Sequence, residues 1–185
     1  MDYKMKDYLP PMDPEKLKAL FEIENAFKAG QLSADEARLQ IKERVGKVSA
    51  YHVAYIEQTM TEETSDECIR EDVHAVINML GDQIDNTMPN LPADHPIMHY
   101  LKENEEMKRL LLAVEDLVQY PMIKNQWLEL YDKISQYPIH YKRKQNQLYP
   151  VLERKGFSRP TTTMWTFDDI VRDEIRESAR LLEAG

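Results

Sequence analysis

Apolar positions recur at helical spacing through most of the chain. Leu17, Leu20, Phe21, Ile23 and Phe27 form one stripe between Pro14 and Lys28. Asp13 stands where an N-cap belongs, Pro14 suits a first helical position, and Gly30 supplies a stop. Ser33 and Glu36 have capping-box spacing at the head of a second helix, which Gly46 closes. A third helix is expected from Ser49. A fourth is expected from Thr64 or Ser65, carrying Ile69, Val73, Ile77 and Leu80.

The pattern then breaks. The stretch "DNTMPNLPADHP" at 85–96 holds three prolines and two asparagines and reads as a linker. Longer helices are expected after it, from about His95 to Val118, Pro121 to Gln136, Ile139 to Lys155 and Trp165 to Leu182. Pro138 either starts or kinks the third of these. Four helices with short turns predict an up-down-up-down four-helix bundle. The expected organisation is a smaller N-terminal helical domain at 1–84, a linker at 85–94 and a bundle at 95–185. Tyr100, Tyr141, Tyr149, Trp127 and Trp165 are expected to furnish core contacts.

Composition supports an all-α fold. Of 185 residues only five are glycine, and no Asn-Gly or Asp-Gly hairpin signal occurs. A formal net charge of -9 argues against nucleic-acid binding, which needs a basic face. The one dense basic run, "HYKRK" at 140–144, reads as a set of local salt-bridge partners. The single Cys68 makes no internal disulfide and fits a reducing, cytoplasmic setting. No apolar run approaches the roughly 20 residues that span a bilayer, so no membrane partner is expected.

The candidate chemistry lies in histidines and carboxylates. His95, His99 and Glu103 are spaced four apart, so each steps only about 40° around a helix and about 6 Å along it. His140 lies on a later helix, and Asp168 and Asp169 on the last. Imidazoles and carboxylates on facing helices are how bundles build iron and manganese centres, and a mixed nitrogen and oxygen shell also suits zinc. The spacing alone occurs easily by chance in a chain with 33 acidic residues. His74, within "DVHAVINML", reads by itself as a packed residue. No nucleophile–base–acid constellation is visible, so no catalytic residue is assigned.

Four segments carry a family resemblance: "DECIREDVHAVI", "HPIMHYLKENE", "HYKRKQNQLYPVLERKGF" and "MWTFDDIVRDEI". In this order and spacing they resemble bacterial proteins that join an N-terminal helical domain of unassigned function to a hemerythrin-like (HHE, cation-binding) bundle, often followed by a PAS sensor domain. The resemblance runs from about residue 15 onward and is most specific at 140–150 and 164–169. It implies His74, His95, His99, Glu103, His140, Asp168 and Asp169 as metal ligands, iron as the metal, and a small diatomic ligand or an oxidant at the open position. It leaves open a homodimer or a PAS-type partner domain.

The departures from that family pattern bear on the metal. Lys144 stands where a carboxylate is expected four residues after the third-helix histidine. Gln145 follows where the closer family often has Glu, and Asp168 replaces an expected histidine. A protonated lysine cannot ligate a metal. With these departures the resemblance implies a non-haem metal site, reduced or incomplete, that senses or binds oxygen, nitric oxide or oxidants or handles iron; the alternative is a metal-free signalling or interaction module in which Lys144 pairs with a buried carboxylate.

Overall fold

The structure, a computed structural model, describes residues 4–59 and 74–184. All regular structure among them is helical. The nearest approach to a sheet is an isolated parallel bridge between Val48 and Ile84. No helix among the described residues is long and apolar enough to cross a membrane.

The chain divides into two compact units. The first comprises Met1–Met88 with Val151–Phe167. In it α1 (Pro14–Lys28) is capped by Asp13, whose carboxylate accepts from the Glu15 amide at 3.0 Å. Gly30, at φ 71°, ends it with the left-handed residue that such a stop requires. In α2 (Ala34–Arg44), Ser33 and Glu36 form the expected reciprocal capping box. Then follow α3 (Ala50–Thr59) and a helical stretch at 74–80, α4. The expected start of α4, with Cys68, Ile69 and Val73, lies outside the described residues.

These helices enclose a dense apolar core that includes Leu20, Ile23, Ala37, Ile41, Val45, Val48, Met79 and Leu80. Two expected core positions are exposed: Phe21 and Ile77. Each is flanked by the residue that points inward instead, Leu20 for one and Met79 two positions on for the other. A narrow buried stripe on a short helix has no room for both.

The second unit comprises Pro89–Pro150 with Asp168–Gly185. It holds α5 (Pro96–Leu117), α6 (Lys124–Ile134), α7 (Pro138–Arg143), a π-helical turn at Lys144–Leu148, and the start of α8 (Tyr149–Arg154). The last helix, α9 (Ser158–Ala184), gives its residues up to Phe167 to the first unit and the rest to the second. Met107, Leu110, Leu130, Ile134 and Ile175 form the buried apolar core here.

Two helix starts lie several residues from where the sequence reading puts them. The sixth helix starts at Lys124, not Pro121, leaving Tyr120, Met122 and Ile123 in an exposed connection. The last helix starts at Ser158, not Trp165. Pro160 does not block it, because the amides of a first turn have no helical partner in any case. Thr161 is fully buried, with its hydroxyl bonded to the carbonyls of Phe157 and Ser158. Within the first unit, the Arg159 amide donates to Gln58 and the Thr163 hydroxyl to Glu57. Trp165 is exposed rather than central.

The helix expected over Ile139–Lys155 starts at Pro138 and is interrupted once. Pro138 serves as a plain start, so the break lies elsewhere. It is the π turn, and Pro150 accounts for it. Pro150 has no N–H for the Asn146 carbonyl, and its ring crowds that carbonyl. The chain widens by one residue there, and the Tyr149 amide donates to the Lys144 carbonyl five positions back.

Candidate functional site

The wide turn decides which side chains meet. On a regular α-helix five residues rotate about 500°, which would point Lys144 and Tyr149 some 140° apart. Closing the turn five residues apart brings them to one face instead. There they take the two oxygens of one carboxylate on α9. The Lys144 ammonium lies 2.8 Å from Oδ1 of Asp168. The Tyr149 hydroxyl donates to Oδ2 at 2.5 Å. Asp168 is 2% exposed and Tyr149 fully buried. Burial, reinforced by the Asp168 charge, pushes the Tyr149 phenol far above its usual range.

His140 lies one turn before Lys144 and is buried. Its ring Nδ1 is 2.7 Å from Oε2 of Glu103 on α5, and the other Glu103 oxygen accepts from Arg143. The ring stacks on Tyr137 at 4.8 Å and meets Tyr100 and Tyr141 edge-on. Desolvation lowers the His140 pKa, the Lys144 charge lowers it further, and Glu103 opposes both. The Tyr137 hydroxyl donates to Asn104 of α5 at 2.7 Å. Burial pushes the Tyr141 phenol up to about 12.

A third polar group borders these two. Gln145 Nε2 donates to Asp169 Oδ1 at 3.0 Å, and Arg172 donates to that same oxygen at 2.7 Å. Asp169 is thus held at the surface by its own partners, apart from the Asp168 pair.

The seven sequence-predicted ligands are dispersed in role. Glu103 and His140 meet each other. Asp168 meets a lysine and a tyrosine. His95 caps α5, its Nδ1 accepting from the Ile97 amide at 3.2 Å. His99 is exposed on α5, and His74 is exposed on α4 in the first unit. Among the described residues no group of three or more His, Cys, Asp or Glu side chains is placed to hold a metal ion.

As arranged, the donor set does not fit iron, zinc or manganese. Both oxygens of Asp168 and both of Glu103 are engaged by protein donors. An ammonium stands beside the only deeply buried carboxylate of the group, and it would repel a divalent ion at that range. The reading of "HYKRK" as local salt-bridge partners matches the Arg143–Glu103 and Lys144–Asp168 pairs. The sequence reasoning missed the wide turn and the paired role of Tyr149. Their signal was Pro150, placed where it deprives the Asn146 carbonyl of a helical donor.

Comparison with protein-family models, curated proteins and solved structures finds no match to this chain.

Proposed function

We propose that the chain is a metal-independent interaction module of hemerythrin-like architecture. In this reading residues 95–185 form an up-down-up-down four-helix bundle, and the N-terminal helical domain precedes it. The single observation that carries the proposal is the Lys144–Asp168–Tyr149 group: a protein cation neutralises the carboxylate that the family resemblance assigns to iron. The module then acts through its surface, as a homodimer or as the neighbour of a PAS-type sensor domain, rather than through an open coordination position.

Surface character supports that role. In the second unit Val118, Tyr120, Met122 and Ile123 lie together in sequence and are all more than half exposed. An open cleft of about 450 Å³ lies among α5, α6, α7 and α9, lined by apolar side chains such as Met107, Leu111, Tyr131 and Ile175 with Lys108 and Glu174 among them. Apolar surface gathered in this way marks contact sites more often than isolated exposed residues do.

The test is metal content and assembly state. Protein purified anaerobically should carry less than about a tenth of an equivalent of iron, zinc or manganese by plasma mass spectrometry, and a chelator should leave its melting temperature unchanged. Stoichiometric metal that His140→Ala releases would overturn the reading. Light scattering should show a concentration-dependent dimer or a stable complex with a PAS-type domain. A strict monomer that forms neither counts against the interaction role.

A further inference from the structure

The surroundings of the Lys144 ammonium form a receptor in their own right. Its Nζ lies 5.3 Å from the centre of the Tyr141 ring and 5.5 Å from that of Tyr149, both within cation–π range. The Asp168 carboxylate completes the enclosure at 2.8 Å. The lysine side chain is 19% exposed and the aspartate side chain 2%, so the charge pair is largely shielded from solvent. The Tyr149 hydroxyl, donating to the second carboxylate oxygen, fixes the carboxylate's orientation without adding charge.

We infer that Asp168, Tyr141 and Tyr149 form an ammonium cage whose resident ligand is the chain's own Lys144, and that the cage selects primary alkylammonium ions over divalent metals. This inference rests on the metal-independent reading above and names the ligand chemistry of that same site. Two features set the selectivity. One carboxylate balances one positive charge, not two. The Tyr141 and Tyr149 rings add a diffuse attraction for a cation through their faces, which favours an alkylammonium over a compact divalent ion. An N–H is also required, because the Asp168 oxygen lies at hydrogen-bond distance from the nitrogen.

Lys144→Ala vacates the cage and retains Cβ, so the missing atoms correspond to n-propylammonium. The variant should melt several degrees below the wild type. Millimolar n-propylammonium should restore most of that loss, while 1-propanol, tetramethylammonium and zinc should not. In the Lys144→Ala, Asp168→Asn double variant the amine should have no effect, since the carboxylate that recognises it is gone. If Lys144→Ala does not fold alone, refolding from urea with n-propylammonium should recover its helical circular dichroism, and failure to do so overturns the cage.

Equal rescue by 1-propanol would show simple cavity filling and overturn the cage. Stabilisation of Lys144→Ala by zinc, with none by the amine, would overturn the selectivity. The two proposals fail separately. Metal in the wild-type protein sinks the metal-independent reading, whereas a metal-free wild type whose Lys144→Ala variant ignores the amine sinks only the cage.

Discussion

Tyr149 and Asp168, nineteen positions apart in the chain, share a buried hydrogen bond of 2.5 Å from phenol to carboxylate. A hydrogen bond to a charged group contributes more than a neutral one, and its loss leaves part of a buried charge unsatisfied. Tyr149→Phe keeps the ring and removes only the donor. It should lower unfolding free energy by about 2 kcal/mol. Urea denaturation followed by circular dichroism reads this directly. A change below about 0.5 kcal/mol would mean that solvent or another donor already serves that oxygen.

The Lys144–Asp168 pair should show strong coupling in a double-mutant cycle. Lys144→Met keeps the aliphatic stem but strands the carboxylate, and should destabilise by about 3–5 kcal/mol. Asp168→Asn strands the ammonium, whose side chain is 19% exposed against 2% for the aspartate, and loses less. The double variant should be more stable than Lys144→Met, with a coupling of about 1–3 kcal/mol. Additive effects would show that the two groups do not sense each other.

Much of the helical architecture was legible because it rests on local chemistry. Asp13 and Ser33 cap where their spacing places them, and Gly30 ends α1. Those choices need only the backbone within a few residues. The site was less legible because its geometry depends on a non-local event, the meeting of α9 with a widened turn. Ligand spacing placed His95, His99 and Glu103 on one helix side, yet His95 is spent as a cap and His99 faces solvent. Periodicity gives a side chain's direction, not what already occupies the space it faces. Lys144 was visible as an anomaly, and its pairing with a buried carboxylate was one of the two outcomes that anomaly allowed.

Pro150 should prove to be the cause of the wide turn. A proline in a helix interior costs about 3 kcal/mol relative to alanine. Here the π turn already absorbs the misfit, and Asn146 Nδ2 donates to the Lys142 carbonyl at 2.7 Å. Pro150→Ala restores an amide donor for the Asn146 carbonyl and permits an ordinary α turn. That would swing Tyr149 away from Asp168. The expected gain is therefore less than about 1 kcal/mol, with the helix-propensity gain offset by the lost pairing. In the Pro150→Ala background, Tyr149→Phe should become nearly neutral. A full gain with Tyr149→Phe still destabilising would separate the proline from the turn.

His140 should make stability fall on mild acidification. Desolvation is the largest cause of its lowered pKa, and Lys144 on the same helix adds to it. The facing groups Glu103 on α5 and Asp168 on α9 oppose the shift without reversing it, while Tyr137, Tyr100 and Tyr141 surround the ring. The unfolded chain binds its proton near pH 6.5, and the folded chain binds it only at lower pH. The unfolded state thus holds more protons between those two values, and stability must drop as pH falls through that window. The contribution is fully present above pH 6.5. Urea midpoints measured from pH 7.5 down to pH 5 should decline for the wild type. His140→Gln, which keeps polar contact with Glu103 but does not titrate, should flatten that decline. An unchanged slope in the variant would place the acid sensitivity on the carboxylates instead.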